Sequence, residues 1–168
     1  MDILQSHITH IEEGAAARPD IELRTLPAQQ IRCTMLEHDR TMRKSSEFFR
    51  RAYAEILHCG NPGCPLGMAY DDFLALLAHP NQPSQLVSYD PQGPDLRPEG
   101  QYLVGTVNCF YNENHGLVQR MSRYAERNNL VFLGPVYSVY LHDAASVTEP
   151  EQFLLQIAVG IRRKDDTD

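Results

Sequence analysis

From Ile21 to Glu37 the chain alternates with a period of two. Ile21 and Leu23, then Ile31, Cys33, Met35 and Glu37, stand against Glu22, Arg24, Gln30, Arg32, Thr34 and Leu36. Successive side chains of a strand point to opposite faces, so this predicts strands over Ile21–Leu26 and Gln29–Glu37, with Pro27 making two short pieces or a bent edge. The spacing then becomes helical over Thr41–His58. Met42, Phe49, Ala52, Tyr53 and Ile56 recur at helical intervals, and Arg43, Lys44, Glu47, Arg50, Arg51 and Glu55 fall mainly on the other faces. Asp39 or Thr41 can cap its start, and Gly60 with Pro62 stops it. Met68–His79 holds a second, short helical pattern, and Gln85–Tyr89 suits a strand.

The second half repeats this rhythm. Gln101–Tyr111 reads as a strand, with Tyr102, Val104, Thr106, Asn108 and Phe110 on one face and Leu103, Gly105, Val107, Cys109 and Tyr111 on the other. Asn112 or Asn114 then caps a helix whose core stripe is Leu117, Val118, Met121, Tyr124 and Ala125, and Asn128 with Asn129 ends it. Val136–Leu141 and Phe153–Ile161 are strands around a loop that Pro150 closes, and Arg162–Asp168 is charged and expected to fray. The order predicts an α+β fold of duplicated strand-helix-strand-strand units, an antiparallel sheet with helices on one face and a central groove between the halves. The expected division is a leader over 1–20, one domain over 21–163 made of pseudo-repeats at about 21–90 and 101–163, and a charged tail over 164–168. Between the halves, Pro80, Pro83, Pro91, Gly93, Pro94, Pro98 and Gly100 predict a loose loop able to act as a lid.

Charge narrows the function classes. Fifteen basic and 22 acidic side chains give a net charge of −7 over 168 residues. Nucleic acid is therefore not an expected direct partner, since phosphate contacts need a basic face. No apolar run approaches the roughly 20 residues that a membrane span needs, and residues 1–20 carry Asp2, Glu12 and Glu13 with no apolar core, so a cytoplasmic protein without a membrane partner is expected. Four cysteines, Cys33, Cys59, Cys64 and Cys109, are then reduced thiols. Cys59 and Cys64 beside His58 lack the second close pair that a zinc site wants, so a turn is the expected reading and no metal or cofactor is implied.

Catalytic motifs are missing. There is no phosphate-binding glycine loop, nucleophile elbow or His-Glu-x-x-His, and the seven histidines are scattered at element ends. His142 beside Asp143 is a tempting base pair, but neighbours on a strand end point apart. The stronger signal is aromatic: eight tyrosines and six phenylalanines against no tryptophan. A tyrosine offers a flat apolar face and one polar tip, which suits a planar small molecule. Tyr137 and Tyr140 have opposite parity on one strand, so one of them faces the groove.

Two segments carry a family resemblance: Gly134-Pro135-Val136-Tyr137-Ser138-Val139-Tyr140-Leu141, and Glu149-Pro150-Glu151-Gln152-Phe153-Leu154-Leu155-Gln156-Ile157. With the opening Ile21–Gln29, they resemble the GyrI-like small-molecule-binding domains, the effector domains of AraC-type and MerR-type regulators that also occur alone. The resemblance spans about residues 21–163. It implies a duplicated unit around an aromatic-lined channel, with ligands that are flat, lipophilic and often cationic. Where the family often has glutamates, this chain has Ser138 and Gln156. Losing a buried carboxylate removes the counter-charge that a desolvated cation needs. The expected ligand is thus neutral or hydrogen-bonding, contacted by Ser138, Tyr140 and Gln156, with Tyr111 alongside and Glu37 able to supply a replacement carboxylate. With 20 leader residues too few for a DNA-binding module, the expectation is a stand-alone protein that senses or sequesters a planar metabolite or drug. The alternatives are an inhibitor or partner of another protein such as a topoisomerase, and a hydrolase of a reactive small molecule, although no acid–base pair for an enzyme is visible.

Overall fold

A computed structural model describes residues 20–35, 50, 54–56, 58, 63–110, 113–143 and 147–166. The elements are β1 (Ile21–Leu26), β2 (Gln29–Met35), β3 (Leu66–Tyr70), α1 (Phe73–Ala78), β4 (Gln85–Ser88), β5 (Asp95–Arg97), β6 (Gly100–Asn108), α2 (Leu117–Arg127), β7 (Leu130–His142), a 3-10 turn (Pro150–Gln152) and β8 (Leu154–Arg163). The strands form one antiparallel eight-stranded sheet in the order β1-β6-β8-β7-β3-β4-β2-β5. The order is symmetric about the β3–β7 pair, with β7-β8-β6 on one side answering β3-β4-β2 on the other. The expected α+β fold is present: α1 and α2 pack on one face of an antiparallel sheet.

Two short links explain why the sheet curls. Pro27-Ala28 carries the chain from the edge strand β1 to β2 near the far edge, and Pro98-Glu99 carries it from the other edge strand, β5, to β6. A two-residue link spans only about 10 Å. Both ends of the sheet are therefore drawn together into a half-barrel. Among the described residues no helix covers the inner surface, which buries Tyr89, Arg97, Tyr102, Val104, Tyr137, Val139 and Ala158.

Strand register sorts the side chains. Ser138 pairs with Met68 and Ile157, and Tyr140 with Leu66 and Leu155, so these share the helix-bearing face. There Leu117 and Met121 of α2 are fully buried with Phe73 and Leu76 of α1, Leu103, Val136 and Val159. Each such side chain contributes roughly 1.5–3 kcal/mol of burial. Gly105 on β6 permits the close approach of α2: a Cβ there would meet Met121 Sδ at 2.6 Å and Leu117 Cδ1 at 3.0 Å.

Several expectations change. The helix over Met68–His79 divides: Leu66–Tyr70 is a strand hydrogen-bonded between β4 and β7, and only Phe73–Ala78 is helical. Asp72 sets that boundary by accepting a hydrogen bond from Ala75 N at 2.7 Å. The segment from Pro80 to Gly100 is not loose, since it contains β4 and β5 and buries Ser88, Tyr89 and Asp90. At the start of α2, Gly116 (φ 77) is the cap residue; Asn114 instead accepts from Gly116 N at 3.0 Å and closes the preceding turn. Asn129, at φ 52, supplies the left-handed residue expected after the helix. β7 begins at Leu130, six residues before the expected Val136, and β8 runs on through Arg162 and Arg163 instead of fraying there. The 101–111 strand ends at Asn108. Of the helix expected over Thr41–His58, residues 50, 54–56 and 58 are helical and Ile56 is buried against Leu86. The rest of it, with its capping and stop residues Asp39, Thr41, Gly60 and Pro62, lies outside the described residues, as does Cys59.

Candidate functional site: a groove at the β3–β7 seam

On the helix-bearing face, where β3 meets β7, a small groove is floored by Met68, Ser138, Leu155 and Ile157. Tyr70 and Tyr140 flank it, and Pro80, Asn81, Glu113 and Asn114 form its upper walls. Both tyrosines are buried, and both use their hydroxyls on the walls. Tyr70 donates to the Pro80 carbonyl. Tyr140 donates to the Phe110 carbonyl at 3.2 Å. The wall beyond Phe110 is tied in turn, with Glu113 N donating to Phe110 O at 3.2 Å and Cys109 Sγ to Glu113 O at 3.1 Å. Burial pushes the Tyr70 hydroxyl up to about 12, so it stays a proton donor across the physiological range.

Ser138 is half-buried, and its hydroxyl makes no hydrogen bond among the described residues. It is the polar group on the floor with donor and acceptor capacity left over. Glu113 is the one carboxylate among the described lining residues. Its side chain is 53% exposed and lies 3.5 Å from His115 Nε2, so water screens its charge. The groove thus has an apolar floor with a free hydroxyl, aromatic flanks, polar upper walls and, among the described lining residues, no buried charge. Its volume, about 50 Å³, holds a few waters at most, well below the roughly 300 Å³ at which small-molecule sites begin.

The residues expected to act together are divided. Ser138 and Tyr140 meet in the groove. Gln156 does not join them: it is buried, but it pairs with Val139 and Thr106 and so lies on the other face of the sheet. One residue of parity separates it from Leu155 and Ile157, which do line the groove. Tyr137 likewise packs on the other face, with Tyr89 and Ile31. Glu37 and Tyr111 lie outside the described residues. Sequence reasoning missed Met68, Tyr70, Asn81 and Glu113. Tyr70 was hidden in the helical pattern, and Asn81 and Glu113 lie in loops whose position depends on the tyrosine hydroxyls. The described cysteines are held as thiols, because burial pushes Cys33 and Cys64 up to about 11 and raises Cys109 as well.

The fold has relatives among solved structures. The C-terminal domain of EcmrR superposes with a TM-score of 0.58 at 10% identity, covering 85% of this chain and 97% of that domain. EcmrR in its complex with DNA superposes at 0.57 with 9% identity, covering 95% of this chain and 65% of that one, so this chain spans a little under two thirds of the longer EcmrR chain. A hydrolase of Listeria innocua encoded by lin2189 superposes at 0.52 with 12% identity, covering 92% and 97%. At such identities the likeness is one of fold, and the same fold occurs in a DNA-bound protein and in a hydrolase. No protein-family model and no curated protein sequence matches the chain. No helix among the described residues is long and apolar enough to cross a membrane.

Proposed function

We propose that this chain is a GyrI-like ligand-binding domain that takes a planar, neutral small molecule in the groove at the β3–β7 seam. The observation that carries this reading is the unpartnered Ser138 hydroxyl on a floor walled by Tyr70 and Tyr140. A flat ligand lies against the tyrosine rings and exchanges a hydrogen bond with Ser138. Neutral ligands are favoured because no described lining residue offers a buried carboxylate to a desolvated cation. Binding requires the Pro80–Asn81 and Glu113–Asn114 walls to part, since the groove is narrower than any such ligand. The domain that goes with this reading covers 21–163 as two halves, 21–90 and 101–163, meeting at the seam. It senses or sequesters its ligand in the cytoplasm.

The test is a thermal-shift screen of the intact protein against planar compounds, half neutral and half cationic. A ligand at a hundred times its dissociation constant adds about 2.7 kcal/mol. For a chain of this size that is a rise of roughly 5–11 °C. The expected result is a shift from neutral compounds only, abolished by Tyr140→Ala and reduced by Ser138→Ala. A shift confined to cations, or one indifferent to both variants, overturns the reading.

A further inference from the structure

The side of the sheet away from α1 and α2 holds a second and larger opening. A cleft of about 310 Å³ lies where the β5–β6 link passes the start of β7, lined by Pro98, Gln101, Tyr102, Leu133, Pro135 and Tyr137. Its origin is legible in the backbone. β7 and β8 slip register between Leu133 and Val136, with Gly134 at φ 64 in the step. Gly160, which pairs with both Tyr102 and Leu133, places no side chain between them.

Arg97 packs against the wall of this cleft. It is 4% exposed, and its guanidinium lies 5.4 Å from the centre of the Tyr102 ring and 5.3 Å from that of Tyr89. It donates to the Tyr89 hydroxyl at 3.2 Å and to the Pro27 carbonyl at 3.3 Å. Nε–H has no partner, and among the described residues no carboxylate comes within 4.0 Å of the group. The other buried charge on β2–β5, Asp90, is matched by Arg32 at 3.1 Å. A buried guanidinium without a counter-ion and with a donor unused is costly to keep. Two tyrosine rings offset part of that cost through cation–π contact, but they do not neutralise it. Nearby, the Tyr137 hydroxyl makes no hydrogen bond among the described residues.

We propose that this cleft binds a small organic anion with a flat apolar body, such as an aromatic carboxylate, with Tyr102 and Tyr137 as its walls and the uncompensated charge of Arg97 behind the Tyr102 wall. The Tyr137 hydroxyl is the donor assigned to the carboxylate, and Arg97, buried behind the Tyr102 ring, acts on it through its uncompensated charge. The volume admits a single-ring ligand at the lower limit of ordinary small-molecule sites. Glu99, exposed at the rim, works against anions and is the feature that should tune the affinity. This site shares no residue with the seam groove and does not depend on its function.

The experiment is a titration of the intact protein with benzoate, benzamide and benzamidine, followed by backbone amide shifts. The expected result is binding of benzoate about tenfold tighter than benzamide, with none for benzamidine. Shifts should map to Gly100–Leu103, Leu133–Tyr137 and Gly160, and the preference should vanish in Arg97→Met. Should that variant fail to fold, Glu99→Lys at the exposed rim decides the matter. It should tighten benzoate about two- to threefold at low salt and leave benzamide unchanged. Equal binding of benzoate and benzamide, shifts confined to Tyr70, Ser138 and Tyr140, or no response to Glu99→Lys overturns the proposal.

Discussion

Asp90→Ala tests whether the segment between the two halves is a brace. Asp90 is wholly buried; its carboxylate accepts from Arg32 Nε at 3.1 Å and from Gln92 N at 2.9 Å, and its carbonyl accepts from Gly93 N at 2.9 Å. The backbone bond survives truncation, while these carboxylate bonds to Arg32 and Gln92 are lost. Hydrogen bonds to a charged group contribute about 1.5–3 kcal/mol each, a gross loss of roughly 3–6 kcal/mol. The Arg32 side chain is 23% exposed, so water recovers part of that, and a net loss of ~2–4 kcal/mol is expected. At roughly 2–4 °C per kcal/mol for this chain length, the melting temperature should fall by about 4–16 °C. Circular dichroism melts of Asp90→Ala, Arg32→Ala and the double variant form a cycle whose coupling should be about 1–3 kcal/mol. A fall of less than about 2 °C for Asp90→Ala, or additive single effects, would refute the reasoning. The pair would then be an incidental contact, and the segment as loose as its prolines suggest.

Three further outcomes follow from the same structure. Gly105→Val should cost about 1–3 kcal/mol, because its Cβ meets Met121 and Leu117 under α2 and both are fully buried; urea unfolding measures it, and an unchanged midpoint contradicts the close packing. Burial pushes Tyr70 and Tyr137 from 10.0 up to about 12, so between those values the unfolded chain binds fewer protons and stability falls as pH rises. Each tyrosine adds a slope of up to ~1.4 kcal/mol per pH unit in that window, and Tyr70→Phe/Tyr137→Phe should flatten the dependence of the urea midpoint. Ser138→Glu places a carboxylate on the groove floor with no cation beside it among the described lining residues. Its pKa should rise, so this variant loses stability as pH climbs through that raised value, and it should bind planar cations at least about tenfold tighter than the parent does.

Elements covered on one face declared themselves in the sequence. β1 and β2 alternate, and α2 carries its stripe at Leu117, Val118, Met121 and Ala125, all buried. β3 did not, for a physical reason. Leu66–Tyr70 is hydrogen-bonded on both sides and lies under side chains on both faces, so nothing selects for alternation, and its end runs into the helical pattern of α1. β5 is three residues between prolines, held by pairing to β2 and by the curl of the sheet, neither of which is local. Gly134-Pro135 reads as a stop, yet it is a bulge within β7, and that bulge helps open the cleft beside Arg97.

The same logic accounts for what was legible of the sites. Period two tells which residues of one strand share a face, and it separated Tyr137 from Tyr140 correctly. It cannot relate two strands, because register is a long-range property. Tyr140 and Gln156 each look like groove residues within their own strands, but the pairing of Val139 with Gln156 sends Gln156 to the other side. Arg97 is the converse case. Set between Leu96 and Pro98, it reads as a surface cation at a loop end, and only closure of the half-barrel buries it between Tyr89 and Tyr102. The sheet therefore divides its polar groups into two chemically distinct settings. Among the described residues, the seam groove has a hydroxyl and no buried charge, and the inner cleft has a buried cation without a counter-ion behind its Tyr102 wall. Opposite ligand preferences on the two faces of one sheet are the consequence: neutral compounds should register at Ser138 and Tyr140, and carboxylates at Tyr102 and Tyr137.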